Sequence, residues 1–251
     1  MTDSSLPLID VAPLGAGTPE RARGAAQDGV GCPADGFLYV TGHGVDAALI
    51  QRLEDLSHQF FDLPEETKMQ WRMALGGRAW RGFFPRGGEL TSGRPDWKEG
   101  LYLGTHLPAD HPLVLAKTPV HGPNLFPDVP DFRETILAYM DAVTQLGHRL
   151  MEGIALSLGL PASYFAERYT ADPLILFRLF NYPTQAVPEG LDVQWGVGEH
   201  TDYGLLTILH QDTVGGLAVH TPGGWIDAPP VPGAFVCNIG DMLDRMTGGL
   251  Y

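Results

Sequence analysis

The hydrophobic pattern of the chain changes after Pro161, and this change limits the folds that it can adopt. Before that point the clearest element is a helix predicted from about Asp131 to Gly159, whose apolar residues are spaced to form one face. After it come five short apolar stretches separated by glycine and proline turns, namely Leu174–Phe180, Leu205–His210, Leu217–His220, Trp225–Ala228 and Ala234–Ile239. Short strands at this spacing predict a β-sandwich or jelly roll, with the long helix backing a sheet.

The composition predicts a soluble globular protein and narrows its partners. With 251 residues, 44% of them hydrophobic and 18% charged, the chain can build one sizeable core or two small domains. The net charge of −14 disfavours nucleic acid and anionic membranes as partners, since both need a basic surface. The start at Met1–Ser5 lacks signal-peptide features, and Cys32 and Cys237 are far apart in sequence. We therefore expect free thiols and a cytoplasmic location.

His200 and Asp202 form a His-x-Asp pair at the start of an apolar stretch. If this segment is extended, the two side chains project from the same face and can converge on one point. One imidazole nitrogen and one carboxylate oxygen are two of the three ligands of the facial triad that holds Fe(II). Taken alone, three residues fit a solvated turn more often than a metal site. The third ligand should be a distal histidine, and after Asp202 only His210 and His220 occur.

Several further motifs follow one another in order along the chain. They are Leu6–Asp10, Gly36–Val45, Phe60–Lys68, Asn181–Pro183, Gly215–Leu217 with Gly224–Trp225, and Asn238–Asp241 with Thr247–Gly249. Together with the His200 segment, they make the chain resemble the isopenicillin N synthase-like family of non-haem Fe(II)/2-oxoglutarate-dependent oxygenases, also called iron/ascorbate-dependent oxidoreductases. The resemblance runs along nearly the whole chain, and so many ordered matches argue against a chance His-x-Asp pair.

The resemblance implies an α+β fold, in which a double-stranded β-helix, or jelly roll, carries an N-terminal α/β extension and the long supporting helix. We expect residues 1–251 to fold as a single unit, with an N-terminal dioxygenase region at 6–125 and an incomplete jelly-roll region at 172–251. Relatives continue beyond a Thr-Gly-Gly like Thr247–Gly249 into a strand with the distal histidine and then an Arg-x-Ser pair. Neither occurs here, so we expect a C-terminally truncated form of an oxygenase; a chain that has lost its iron-dependent activity is the alternative.

The resemblance also implies the chemistry. Fe(II) would be held by His200 and Asp202, with 2-oxoglutarate as cosubstrate and O2 as oxidant, and a small-molecule substrate would be hydroxylated or otherwise oxidised. Two alternatives stay open, a 2-oxoglutarate-independent oxidase of the same fold and a non-catalytic binding module. Pocket walls vary within the family, so the sequence does not identify the substrate.

Four further residues are predicted to contact small molecules. In the family, a tyrosine at the position of Tyr182, just before Pro183, often hydrogen-bonds a carboxylate of the cosubstrate or substrate; packing in the core is an equally open interpretation. The stretch that contains Glu89 and Thr91 is similar to the bacterial branch that includes ethylene-forming enzymes, which makes both residues candidate substrate contacts. A solvated surface loop is the alternative for this stretch. Tyr203, next to the His-x-Asp pair, is a weaker candidate.

Overall fold

The computed structural model describes residues 5–16, 36–184 and 195–251; Cys32 therefore lies outside the described residues. The strands are β1 (Leu8–Asp10), β2 (Phe37–Thr41), β3 (Gly82–Phe84), β4 (Leu90–Thr91), β5 (Arg94–Pro95), β6 (Glu99–Gly104), β7 (Leu176–Asn181), β8 (Leu206–Leu209), β9 (Ala218–Thr221), β10 (Gly224–Asp227) and β11 (Phe235–Ile239). The α-helices are α1 (Ala12–Ala16), α2 (Ala47–Phe61), α3 (Glu65–Lys68), α4 (Pro112–Leu115), α5 (Phe132–Ser157) and α6 (Asp241–Thr247). In the described part of the chain, no helix is long and apolar enough to cross a membrane.

Internal contacts divide the chain into two compact units, each built from separate stretches of sequence. The first unit comprises Met1–Ala47, Asp141–Pro173 and Thr201–Tyr251, and the second comprises Ala48–Met140 and Leu174–His200. Each of the five strands predicted after Pro161 is found within two residues of its expected bounds, and α5 lies inside the predicted long helix.

The first unit is built around a four-stranded sheet in the order β1–β2–β11–β8. Strand β1 runs parallel to β2, and the other two pairings are antiparallel. The separate hairpin β9–β10 shares a hydrophobic cluster with this sheet, in which Tyr39 and Val236 meet Val219. The buried run of β11 includes Cys237, a free thiol whose pKa is raised to about 12 by burial. That thiol is protonated and unreactive at neutral pH.

The second unit is built around the antiparallel three-stranded sheet β3–β6–β7. One face of this sheet packs on an aromatic core, where the Phe60 ring lies 5.9 Å from Phe83 and 6.0 Å from Phe132. Phe60 comes from α2 and Phe132 from the first turn of α5, so both helices cover the same face. The short hairpin β4–β5 lies in the loop between β3 and β6. The opposite face of the sheet carries the polar residues described next.

Candidate active site

His200 lies in an exposed segment before β8. Its Nδ1 is 2.8 Å from the carbonyl oxygen of Gly198. A carbonyl only accepts hydrogen bonds, so Nδ1 must carry the proton, and the lone pair of the neutral ring is then on Nε2. Metal-binding histidines are commonly held in this way, by a hydrogen bond from the other ring nitrogen. The local structure around His200 therefore suits a metal ligand.

Asp202 is partly buried and is oriented by residues at the end of β11. The side-chain amide of Asn238 donates to Oδ2 of Asp202 at 2.8 Å, and the backbone N–H of Asp241 donates to its carbonyl oxygen at 2.7 Å. The close approach requires glycine at position 240, where a Cβ would lie 2.9 Å from the Asp202 carbonyl oxygen and 2.2 Å from that of Gly204. The Asn238 amide therefore orients the Asp202 carboxylate, and the contacts of Gly240 and Asp241 hold the Asp202 backbone.

The structure corrects one feature of the predicted pair. Strand β8 begins only at Leu206, so His200 and Asp202 lie in an irregular segment, and strand alternation does not govern their side chains. Within residues 5–16, 36–184 and 195–251, no three His, Cys, Asp or Glu side chains are grouped so that they could hold a metal ion. The ring of His210 packs against Phe235 at 5.9 Å and that of His220 against Trp225 at 5.1 Å. The donor types of His200 and Asp202 nonetheless fit Fe(II).

A layer of aromatic side chains lies on the polar face of the β3–β6–β7 sheet. The Phe84 ring is 5.2 Å from Tyr102 and 6.3 Å from Phe180, and Phe180 is 6.2 Å from Tyr182. Gly100 makes room for this layer, since a Cβ at this position would lie 2.5 Å from the Phe84 ring and 2.9 Å from that of Phe180. The aromatic layer forms an apolar floor beneath the charged residues described next.

The buried side chain of Lys98 contacts two carboxylates above the aromatic layer. The Lys98 ammonium contacts Asp96 directly, lies 3.2 Å from Oε2 of Glu89, and is 5.1 Å from the centre of the Phe180 ring. Thr91 donates a hydrogen bond of 2.9 Å to Asp96, and the Tyr102 hydroxyl donates to Oε1 of Glu89. We call Glu89, Thr91, Asp96, Lys98 and Tyr102 the Lys98 cluster. Two carboxylates share one ammonium, and the Arg178 guanidinium lies 4.8 Å from the centre of the Tyr102 ring.

Tyr182 stands beside the Lys98 cluster. Half of the Tyr182 surface is exposed (50%), but its hydroxyl is desolvated. This desolvation and the nearby negative charges of Asp96 and Glu89 raise the pKa of Tyr182 to about 12. Because that pKa is far above neutrality, the hydroxyl keeps its proton and can donate a hydrogen bond. The ring lies directly on Gly196, where a Cβ would be 2.6 Å from Cδ1 of Tyr182.

The segment that leads from Gly196 to His200 lies against the β4–β5 hairpin. Trp97 donates its backbone N–H to the Gly196 carbonyl at 2.9 Å, and the Ser92 hydroxyl donates to the Glu199 carbonyl at 3.2 Å. A Cβ at Gly198 would lie 3.2 Å from the Thr91 methyl group. Glu89, Thr91 and Tyr182, which were predicted from resemblance alone, are therefore gathered in the second unit around a segment that ends at His200.

The remaining candidate, Tyr203, belongs to the first unit. It is 57% exposed and lines a shallow depression with four residues of α6, which are Asp241, Met242, Arg245 and Met246. Sequence reasoning did not assign roles to Lys98, Asp96, Tyr102 or Asn238. For Asn238 a signal was present, because it begins the Asn238–Asp241 motif. Asp96 and Lys98 follow the stretch that contains Glu89 and Thr91, and no further pattern in the sequence distinguishes them.

Comparisons with known proteins agree with these observations. Residues 6–129 match the family model described as non-haem dioxygenase in morphine synthesis N-terminal, and residues 170–251 match the 2OG-Fe(II) oxygenase superfamily. A probable iron/ascorbate oxidoreductase of Dictyostelium discoideum is 56% identical over 100% of this chain and 76% of the relative. A homoarginine-6-hydroxylase of Oryza sativa is 36% identical over 98% of this chain and 78% of the relative. The crystal structure of a full-length Neurospora crassa protein in complex with alpha-KG superimposes with a TM-score of 0.82 at 29% identity, covering 100% of this chain and 78% of that one.

Proposed function

Because the chain belongs to the 2OG-Fe(II) oxygenase superfamily, we propose that it uses Fe(II), 2-oxoglutarate and O2 to hydroxylate or oxidise a small molecule that carries a basic group. Family membership confirms the α+β fold with a jelly-roll core and the Fe(II)/2-oxoglutarate oxygenase chemistry. The ligand residues, the contacts to the cosubstrate and the basic substrate are our proposals. The single observation that carries the substrate class is the accessible carboxylate of Glu89, 20% exposed beside the buried pair of Asp96 and Lys98.

His200 and Asp202 are the proposed protein ligands of the iron. Bound Fe(II), together with 2-oxoglutarate and O2, supplies the oxidising chemistry. The hydrogen bond from Nδ1 of His200 to Gly198 presents Nε2 as the donor atom, and the bond from Asn238 fixes the Asp202 carboxylate. These outer contacts matter because their loss in other metal sites typically lowers metal affinity by about 10–100-fold.

Tyr182 is the proposed contact to a carboxylate of the cosubstrate or substrate. Its hydroxyl stays protonated at neutral pH, since burial and the nearby carboxylates of Asp96 and Glu89 raise the pKa to about 12. A protonated hydroxyl next to an incoming carboxylate makes a charge-assisted hydrogen bond, which is stronger than a neutral one. The residue would orient the bound molecule and take no part in proton transfer.

Glu89 is the proposed contact to a basic group of the substrate. Its side chain is 20% exposed, whereas those of Asp96 and Lys98 are 2% and 4% exposed, so Glu89 is the carboxylate of the cluster that a ligand can reach. A carboxylate accepts up to about four hydrogen bonds, and Lys98 with Tyr102 occupies only some of that capacity. Thr91, which donates to Asp96, would support the cluster. Tyr203 is a weaker candidate for a substrate contact.

One relative is named for a substrate that carries a basic group. The Oryza sativa protein is a homoarginine-6-hydroxylase, and homoarginine carries a guanidinium group. A guanidinium group offers five N–H donors in a planar fork, which matches the geometry of a carboxylate such as that of Glu89. We therefore place amino acids with guanidinium or amine side chains first among the candidate substrates.

Substrate-stimulated succinate formation tests the proposal. Purified protein with Fe(II), ascorbate and 2-oxoglutarate is offered basic amino acids and their neutral isosteres, such as citrulline in place of arginine. We expect basic compounds to stimulate turnover and Glu89→Gln to lower kcat/KM for them by about tenfold or more, because a charged hydrogen bond of about 1.5–3 kcal/mol is lost. Glu152→Gln, at an exposed position of α5, is the matched control and should change nothing. Stimulation by neutral or acidic compounds alone would contradict the basic substrate.

A further inference from the structure

Glu99 and Asn181 form the last residue pair of the β6–β7 ladder, and beyond this pair the two strands separate. Beyond Glu99, the backbone N–H of Trp97 bonds to the Gly196 carbonyl instead of to β7. Beyond Asn181, the chain leaves the ladder at Tyr182. Lys98 and Tyr182 therefore lie one residue beyond this fork, where Trp97 also bonds to the segment that leads towards His200.

A buried ion pair holds the fork from the core side. Glu99 accepts from the Asn181 amide through Oε1 at 2.8 Å and from the Lys68 ammonium through Oε2 at 2.7 Å. Lys68 also donates to the Phe61 carbonyl at 2.8 Å. The Lys68 and Glu99 side chains are 5% and 8% exposed. We call these three linked side chains, Lys68, Glu99 and Asn181, the Lys68 brace.

Stability alone does not account for the brace. A buried ion pair usually gains little over well-packed apolar residues of the same volume, because the desolvation cost offsets the attraction. The brace has a defined geometry, since three hydrogen bonds join α2, α3, β6 and the end of β7 in one arrangement. Asn181 is held on the core face, and the ring of the next residue, Tyr182, lies 6.2 Å from that of Phe180 on the polar face.

We propose that the Lys68 brace positions the active site. Glu99, held by Lys68, fixes Asn181 and thereby the Tyr182 hydroxyl beside Asp96 and Glu89. Because the Tyr182 ring lies on Gly196, the same device also fixes the start of the segment that ends at His200. The brace positions Tyr182 whether or not Tyr182 binds a ligand. The binding of a carboxylate by Tyr182 rests on the proposed function.

Asn181→Ala tests the structural claim, because it removes the link to β7 and leaves the Lys68–Glu99 pair intact. The matched control is Asn124→Ala: Asn124 is also buried and makes two hydrogen bonds of 2.9 and 2.7 Å to Gly104, at the other end of β6. Fluorine NMR of 3-fluorotyrosine-labelled protein reports on Tyr182, whose signal is assigned with Tyr182→Phe. We expect Asn181→Ala to shift or broaden this signal and Asn124→Ala to leave it unchanged. An unchanged signal in Asn181→Ala, or equal changes in both variants, would overturn the brace.

The affinity for 2-oxoglutarate separates the brace from the proposed function. Calorimetric titration of 2-oxoglutarate into the protein with Mn(II) should give a dissociation constant about tenfold higher for Asn181→Ala, the factor that corresponds to about 1.4 kcal/mol. Asn124→Ala should bind as tightly as the wild-type protein. If the Tyr182 signal moves while this affinity stays constant, the brace is supported, and the carboxylate contact of Tyr182 is the part that is wrong.

Discussion

Replacing Lys68 with methionine should destabilise the protein strongly. The substitution keeps most of the side-chain volume but removes the cation from Glu99, whose side chain is 8% exposed and has its other oxygen bonded to Asn181. Removing one partner of a buried pair costs about 3–5 kcal/mol, because the remaining charge is desolvated and unpaired. For a chain of this size each kcal/mol lowers the melting temperature by about 2–4 °C, so the midpoint should fall by about 6–20 °C.

Denaturant and thermal unfolding at neutral pH, followed by circular dichroism, measure this loss. The double variant Lys68→Met/Glu99→Gln should recover most of it, since an amide needs no counter-ion and its oxygen can still accept from Asn181. Lys117→Met, at an exposed position, is the control and should stay within about 0.5 kcal/mol of the wild-type protein. A loss below about 1 kcal/mol for Lys68→Met is the value for an exposed pair and would refute the buried brace. The buried brace would also be refuted if Lys68→Met/Glu99→Gln were no more stable than Lys68→Met.

Two further predictions concern the first unit. The pKa of His43 is lower in the folded protein than in the unfolded chain, and burial is the largest cause. As the pH falls below about 6.5, the unfolded chain therefore binds the proton first, and the protein loses the stability that neutral His43 contributes. In urea unfolding between pH 7.5 and 5.5, His43→Asn should weaken this dependence while exposed His220→Asn should not; equal slopes in all three proteins would contradict it. Gly240→Ala should lower unfolding free energy by about 1–3 kcal/mol, since its Cβ would meet the Gly204 carbonyl at 2.2 Å; an unchanged midpoint would contradict the close approach.

The regular elements could be predicted because their hydrophobic pattern is local. The apolar run at Phe235–Ile239 becomes the buried strand β11, and the helical spacing after Asp131 becomes α5. The segment at His200 could not be predicted in this way. The approach of Gly240 to Asp202 and the contact of Gly198 with Thr91 shape it, and neither is encoded in its own residues.

The polar networks show the same limit. Lys68 and Asn181 meet Glu99 across 31 and 82 residues of sequence, so only the folded sheet brings them together. Glu89 and Tyr182 could be singled out because they resemble known positions in a family, and not because of any physical pattern. Their shared surroundings, two carboxylates held by Lys98 above an aromatic layer, became visible only in the structure.

Metal binding with and without the Asp202 carboxylate tests the central claim most directly. Anaerobic calorimetric titration of Fe(II) into the wild-type protein should show one site, and His200→Ala and Asp202→Ala should each abolish it, because a single remaining ligand does not hold the ion. The control is Asp212→Ala, an exposed aspartate whose carboxylate caps the turn at Val214 through a 2.8 Å bond; it should bind as the wild-type protein does. Undiminished Fe(II) binding by Asp202→Ala, or no binding by the wild-type chain, would contradict the account.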